Sequence, residues 1–393
     1  MPRIAVGQVG GARPESWRET MEHVERGIVC AAALNSQLLV LPECVWPAYH
    51  LGSRESYAEL RRAGMPPPEW FLERVETAAR RAATAVCVGH VRERDDGRLC
   101  NSATYFDPDG RRLAVIDKSF LWDFDWQLFE PGARIAAFDC ALGRVGVLIC
   151  ADLRLPEIPA ALAADGAQLL VQPTAWVNGG TSARPNNVQA DFLMRVRAYE
   201  LGVPVASASK WGSERGVEFV GLSRIADADG CVVAELGGCG DGLTIADVAL
   251  PPSRRSTLAL VGRAGTPEAG PGFVTVAVGV GGGVRIDPDR AVADIDAQHT
   301  RHFVAVRRLA AAGTLVLRVR GDAPRDVLRA RAAENRIFVV QEATDGAWLF
   351  DPRGAAHAIE SEHRLDLSAA RDKQVAPGSH VFDKRPAALI APG

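Results

Sequence analysis

The chain has 393 residues, 47% hydrophobic and 24% charged, which suits one large globular domain or two modest ones. Its 45 Lys and Arg against 48 Asp and Glu leave a formal net charge of −3, and no apolar run approaches the roughly 18 residues of a membrane span. A nucleic-acid coat and a membrane protein are thereby excluded. The eight cysteines form no CxxC pair. They read as reduced thiols of a cytoplasmic protein, not as a disulfide framework or a zinc site.

In chain order, Met1–Val6 runs straight into a strand pattern, Ile4–Val9, which leaves no room for a signal peptide. Glu15–Leu34 has helical spacing, Gln37–Leu41 is a continuous apolar strand, and a helix-rich stretch covers Arg54 to Ala83. Strands follow at Ala85–Val91, Ala103–Phe106, Val115–Lys118, Val145–Cys150 and Leu169–Gln172. Asp107-Pro108-Asp109-Gly110 between two of them is turn chemistry, with Pro fixing φ and Gly permitting positive φ. A helix over Asn186–Leu201 precedes the strand Val203–Ser207, and Gly221–Ala226 with Cys231–Glu235 flank the turn Asp227–Gly230. This alternation predicts an α/β layered domain over residues 1–250.

Residues 251–271 form a Pro- and Gly-rich linker, and 272–393 a second region. The second region repeats part of the first. Gly146, Val147, Ile149 and Asp152 recur as Gly283, Val284, Ile286 and Asp289, while Arg197, Ala198 and Glu200 recur as Arg331, Ala332 and Glu334. Asp247 recurs as Asp366. This pairing sets Asp287 opposite Cys150, and the copy holds no cysteine. Other signals are bland. His299 and His302 lack metal-ligand partners and read as a solvated helix surface. Gly279–Gly283 reads as a hairpin and not a phosphate loop. Arg320-Gly321-Asp322 carries no adhesion role in a cytoplasmic chain, and Cys44 points into the core.

Three strands end in chemistry-bearing groups: Leu38–Glu43 in a carboxylate, Ile116–Lys118 in a lysine, and Val145–Cys150 in a thiol that runs on into Ala151-Asp152-Leu153-Arg154-Leu155-Pro156-Glu157. Strand ends are where α/β sheets place active sites. A thiol is a nucleophile only when it loses its proton, which a carboxylate accepts and a nearby ammonium favours. Cys150 would be the nucleophile and Glu43 the base that shuttles its proton. Lys118 and the backbone N–H of Ala151 would stabilise the oxyanion, with no metal and no cofactor.

Together these segments resemble the nitrilase superfamily of carbon–nitrogen hydrolases. Further matches are Gln8, Asn101-Ser102-Ala103, Phe129-Glu130-Pro131-Gly132, Pro173-Thr174-Ala175-Trp176, Arg197-Ala198-Tyr199-Glu200, Gly221-Leu222-Ser223 and the tail Val381–Pro386. The resemblance implies a four-layer α-β-β-α sandwich, here followed by a half-copy of the same fold, and a homodimer or larger homo-oligomer. It implies Glu43, Lys118 and Cys150 as the catalytic triad. Where the family carries a second glutamate, this chain has Asp125. Ala151-Asp152 after the cysteine departs from the Trp-Glu of true nitrilases and points to the amidase and N-carbamoylase branches. The expected activity is hydrolysis of a small-molecule amide or N-carbamoyl C–N bond through a Cys150 thioester. The alternatives are nitrile hydrolysis, acyl transfer to an amine, or a non-catalytic binding member. Of the aromatics beside these motifs, Trp46, Tyr49, Trp122, Trp126, Trp176 and Trp211, most read as core or interface packing, and Tyr49, Trp122 and Trp176 are the substrate-lining candidates.

Overall fold

The computed structural model describes residues 1–181, 185–258, 261, 273–278, 284–287, 291–360 and 362–389. The chain divides into two compact units, Met1–Leu258 and Ala259–Gly393.

The first half of the first unit comprises β1 (Arg3–Gly10), α1 (Trp17–Ala33), β2 (Leu38–Val40), α2 (Arg54–Arg62), α3 (Pro68–Ala82), β3 (Ala85–Glu93), β4 (Leu99–Phe106), β5 (Arg112–Asp117) and the single turn α4 (Asp125–Leu128). The second half comprises β6 (Phe138–Cys140), β7 (Gly143–Val147), α5 (Glu157–Ala164), β8 (Leu169–Thr174), α6 (Met194–Leu201), β9 (Val205–Glu214), β10 (Val217–Val220), β11 (Arg224–Ala226), β12 (Val232–Glu235) and β13 (Gly242–Asp247). The strands run in the order β5-β4-β3-β2-β1-β9-β8-β7-β6, a nearly closed sheet of two leaves that meet where Val9 and Gly10 pair with Lys210 and Trp211.

Burial on both faces explains the near-continuous apolar runs. Inward side chains of the two leaves share one core, with Ile4, Val6, Leu38, Val40 and Cys87 against Val145, Val147, Leu169, Val171 and Ala206. The alternate positions Ala5, Leu39, Val86 and Val88 pack instead with Met21, Val24 and Ile28 of α1 and Phe71 and Val75 of α3. On the far face of the second leaf, a Cβ at Gly146 would stand 3.0 Å from the Leu162 Cβ of α5. The layers are therefore helix, sheet, sheet, helix. Trp46 and Cys44 are core residues, Trp46 stacking on Phe71 at 5.0 Å.

Two boundaries differ from expectation. The helix over Asn186–Leu201 is a π turn, Gln189–Leu193, continued by α6, which ends at Gly202 in the left-handed region (φ +63°). The opening of the 251–271 linker is bound to the first unit: Pro251 O accepts from Gln168 Nε2 at 2.6 Å and the Ser256 N–H donates to Ala164 O at 2.8 Å. Proline removed the helix and strand signals there without removing tertiary hydrogen bonds.

The second unit contains β14 (Phe273–Val278), β15 (Val284–Asp287), β16 (Val292–Asp296), α7 (Phe303–Ala311), β17 (Val316–Arg320), α8 (Arg325–Asn335), β18 (Phe338–Ala343), β19 (Gly346–Phe350), β20 (Ala356–Ala358) and β21 (His363–Asp366). One sheet has the order β16-β17-β18-β19-β20, parallel as far as β18 and antiparallel beyond; the other is β15-β14-β21. Val274, Val276, Ile286 and Leu365 of the small sheet share a core with Val316, Val340 and Leu349 of the large one. Asp287, expected opposite Cys150, ends β15. β15 pairs antiparallel with the preceding β14, as β7, which leads to Cys150, pairs antiparallel with the preceding β6; β7 pairs in addition with the parallel β8, whereas β15 stands at the edge of its sheet among the described residues. A short run of alternating apolar residues encodes a strand and not its neighbours. Asp289 and the Gly279–Gly283 hairpin lie outside the described residues. His299 and His302 are exposed. Among the described residues no cluster of His, Cys, Asp and Glu is arranged to hold a metal, and no helix is long and apolar enough to cross a membrane.

Candidate active site

Three strand ends of the first unit converge. β2 leaves the sheet at Leu41 and delivers Glu43, β5 delivers Lys118, and the turn after β7 delivers Cys150. Glu43, Lys118 and Asp125 are all fully buried. Lys118 Nζ donates to Glu43 Oε1 at 2.7 Å and to Asp125 Oδ2 at 2.7 Å, so one cation sits between two carboxylates. Glu43 is further fixed by Asn101 Nδ2 on Oε1 (2.7 Å) and by the Ala175 N–H on Oε2 (2.9 Å). Asp125 Oδ2 also accepts from the Trp122 N–H at 2.9 Å, which ties the Lys118 loop together. Asp125 is thus part of the buried cluster, and its shorter side chain reaches Lys118 because α4 brings the backbone close.

Cys150 opens a 3-10 turn, Cys150–Arg154, with φ +46°. A β-carbon in the left-handed region is strained, and such strain is held only where the surroundings over-determine the backbone. Here Gln172 Nε2 donates to Cys150 O at 2.9 Å. Asp152 accepts from the Ile149 N–H (2.9 Å) and also from the Ser119 and Phe120 N–H groups (3.0 and 2.7 Å), locking the cysteine turn to the segment after Lys118. Burial lifts the Asp152 carboxyl to about 6 despite these donors. Ala175 links nucleophile and acid: its N–H holds Glu43, and its carbonyl lies 4.0 Å from Cys150 Sγ.

The electrostatics follow from burial. Desolvation pushes the Cys150 thiol up to about 12, with Glu43 adding to the shift and Lys118 opposing it. Desolvation, reinforced by Asp125, also raises Glu43 above the usual carboxylate range against the pull of Lys118 and Asn101. Burial would neutralise Lys118, but Asp125, Glu43 and Cys150 together hold it well above the ordinary lysine value. The resting arrangement is a neutral thiol, a charged lysine and a carboxylate of enhanced basicity.

Of the substrate-lining candidates, Tyr49 is buried with its ring centroid 5.4 Å from Lys118 Nζ, and Trp176 packs in the cluster that contains Cys150. Ala151 is buried in the cysteine turn. Trp122 is half-buried beneath the Arg154 guanidinium at 4.3 Å. Trp211 donates to Asp241 instead. Sequence reading gave no role to Asn101, Gln172, Asp152 or the Ala175 main chain, although all four fall in or beside quoted motifs.

It also missed Gly89 on β3. A Cβ there would stand 2.4 Å from Pro42 O and 2.6 Å from Glu43 Cα, so only glycine lets the Glu43 segment lie against β3. Gly89→Ala should displace Glu43 and lower kcat/KM by about 100-fold while destabilising the fold by about 1–3 kcal/mol. Steady-state kinetics with a urea titration would check this, and unchanged kinetics would reject it.

This two-leaved α/β fold, with a cysteine on a strained turn beside a buried Glu–Lys–Asp cluster, matches one family. The model of the Carbon-nitrogen hydrolase family spans residues 3–255, and the chain belongs to that family, enzymes acting on carbon–nitrogen bonds other than peptide bonds. It is 32% identical over 211 residues to a hydrolase in the pqqF 5' region of Pseudomonas protegens, covering 53% of this chain and 70% of that one. It is 30% identical over 217 residues to omega-amidase NIT2 of Xenopus tropicalis, covering 53% and 75%. Among solved structures it is similar to an amidase from Nesterenkonia sp. AN1, in a mutant showing Michael addition of acrylamide at the active-site cysteine. The TM-score is 0.55 at 25% identity, covering 63% of this chain and 94% of that one.

Proposed function

We propose that this chain hydrolyses the C–N bond of a small amide or N-carbamoyl compound through a thioester on Cys150. The observation that carries the reading is Lys118 Nζ held 2.7 Å from both Glu43 and Asp125, with Ala175 joining Glu43 to the cysteine. As Sγ attacks the carbonyl carbon, Glu43 takes the thiol proton. A thiol held near 12 gives up that proton only to a positioned base of raised basicity. Lys118 and the N–H of Ala151 receive the oxyanion. Glu43 returns the proton to the nitrogen, the C–N bond breaks and ammonia or an amine leaves. Water then attacks the thioester, giving its proton to Glu43. Collapse releases the carboxylic acid and regenerates the thiol. Similarity to amidases supports amides over nitriles.

The test is intact-protein mass with ammonia release across amides, N-carbamoyl amino acids and nitriles. A Cys150-bound acyl group with amide turnover is expected. Turnover of nitriles alone would overturn the substrate class, and the absence of both adduct and ammonia would leave the binding-protein alternative. Glu43 must be ionised to accept the proton, so kcat/KM should fall as pH drops through its raised pKa, above the usual value of about 4.3. Glu43→Gln should cost about 10²–10⁴ in kcat and remove that acid limb. A pH–rate profile with the limb intact in the variant would assign the proton transfer elsewhere.

We also infer that the second unit is an incomplete copy of the second leaf without a nucleophile. Val145 lies opposite Leu169 and Val292 opposite Val316, each pair 24 residues apart. Arg197 donates to Leu153 O (3.1 Å) and Glu200, as Arg331 donates to Thr300 O (2.9 Å) and Glu334. Leu153 and Thr300 stand 147 residues apart, as do the paired strands. On that spacing Cys150 corresponds to Ala297, which opens the 3-10 turn Ala297–Thr300.

A further inference from the structure

Tyr49 is 1% exposed, its ring packed on Phe124 and Phe219 with centroids 5.1 and 6.2 Å away. Its hydroxyl has no hydrogen-bond partner in the protein. A buried hydroxyl without a partner is costly, so one found beside a reactive centre points to a ligand atom that satisfies it. Asp125 Oδ1 and Asn101 Oδ1 are likewise buried without a partner, so the Lys118 end of the site offers an orphaned hydroxyl donor and orphaned acceptors. A carboxamide presents the complementary pair, an oxygen that accepts and an NH₂ that donates.

The main chain of Tyr49 is held from β9. Glu214 Oε2 accepts from the N–H groups of Tyr49 (2.8 Å) and His50 (2.9 Å), and its other oxygen is ion-paired to Lys210. Both members of the pair are buried. Next to them, Arg215 Nη1 donates to Leu51 O at 3.0 Å. Lys210 and Glu214 are four residues apart on one strand and therefore share a face. Burying an ion pair is expensive and adds little stability against an apolar alternative, so its presence calls for another use. A carboxylate that takes two successive N–H groups fixes the direction of the side chain between them.

We propose that the Tyr49 hydroxyl hydrogen-bonds the carboxamide of the bound substrate beside Lys118, and that Glu214, neutralised by Lys210, is the positioning residue that holds Tyr49 there. The inference rests on the amide-hydrolase reading above. Its probe is acrylamide, at once a carboxamide and a thiol alkylator. The rate of Cys150 labelling against acrylamide concentration gives a half-saturation concentration and a limiting rate without requiring turnover. Labelling is mapped to the Cys150 peptide, because Cys30, Cys231 and Cys239 are exposed.

Tyr49→Phe is expected to raise the half-saturation concentration by about 10-fold, more than it changes the limiting rate. Glu214→Gln is expected to do the same. The double variant should be no worse than the weaker single one, because both losses act through one ring. Glu214→Asp takes the place of Glu214→Gln if the latter does not fold. Three results would overturn the proposal: labelling of the parent protein that does not saturate, an unaltered half-saturation concentration in Tyr49→Phe, or effects that multiply in the double variant. Failure of the amide reading would show differently, as saturable labelling with no amide turned over.

Discussion

Replacing Lys118 by methionine should cost about 3–5 kcal/mol of stability at neutral pH and lower turnover by about 10³-fold or more. Among the described residues, the lysine carries the only charge that compensates Glu43 and Asp125 through direct contacts of 2.7 Å, and all three side chains are fully buried. Without it, Glu43 keeps the desolvation and the Asp125 charge that raise it and loses the lysine that opposes them, so it takes up a proton more readily. Its folded pKa then lies further above the unfolded one, so the folded state binds more protons than the unfolded state. The sign follows: the variant gains stability as pH falls through the raised value and loses it as pH rises. Turnover drops for two reasons, since the oxyanion loses its ammonium and Glu43 is no longer reliably ionised. Urea midpoints at several pH values, with ammonia release at each, would check both. Parent-like stability at neutral pH would mean that Lys118 is not the compensating charge.

How far the sequence carried this site is clearest residue by residue. Glu43, Lys118 and Cys150 were legible because each terminates a short apolar run, and the sheet gathers strand ends whatever lies between them. The alternation of strand and helix signals was enough to predict a layered α/β domain, in which Ile4 and Val6 face the other leaf and Ala5 faces the helices. Asp125 was ambiguous because its reach depends on α4, a single helical turn with no periodic signature. Asn101, Asp152 and Gln172 were invisible as functional groups: their roles come from hydrogen bonds to residues 58, 32 and 22 positions away, and no local pattern records such partners. Gly89 was missed because close approach of Pro42 and Glu43 is a property of two strands, not of one. In the second unit, Arg331 and Glu334 were legible as a pair three residues apart, like Arg197 and Glu200, and both pairs form buried ion pairs.

Cys150→Ala should abolish turnover, by about 10⁶-fold, and leave the fold intact. The alanine keeps the Cβ and therefore the strained φ of +46°, and the hydrogen bonds that hold the turn, Gln172 Nε2 donating to its carbonyl and Asp152 accepting from the Ile149 N–H, involve no cysteine side-chain atom. A loss of activity can then be charged to the sulfur and not to collapse of the turn. The variant should show no acyl adduct with any amide. The second unit cannot supply a substitute thiol, since no cysteine follows Cys239. Cys44, next to Glu43, is the one nearby alternative, but burial raises its thiol well above the ordinary value, Glu43 raises it further, and it packs in the core between sheet and helices. Adduct formation on Cys44, or turnover within about 10-fold of the parent, would move the chemistry off Cys150 and with it the thioester assignment. A silent, normally folded Cys150→Ala protein would instead confine bond cleavage to one sulfur, poised by burial as a thiol until Glu43 takes its proton.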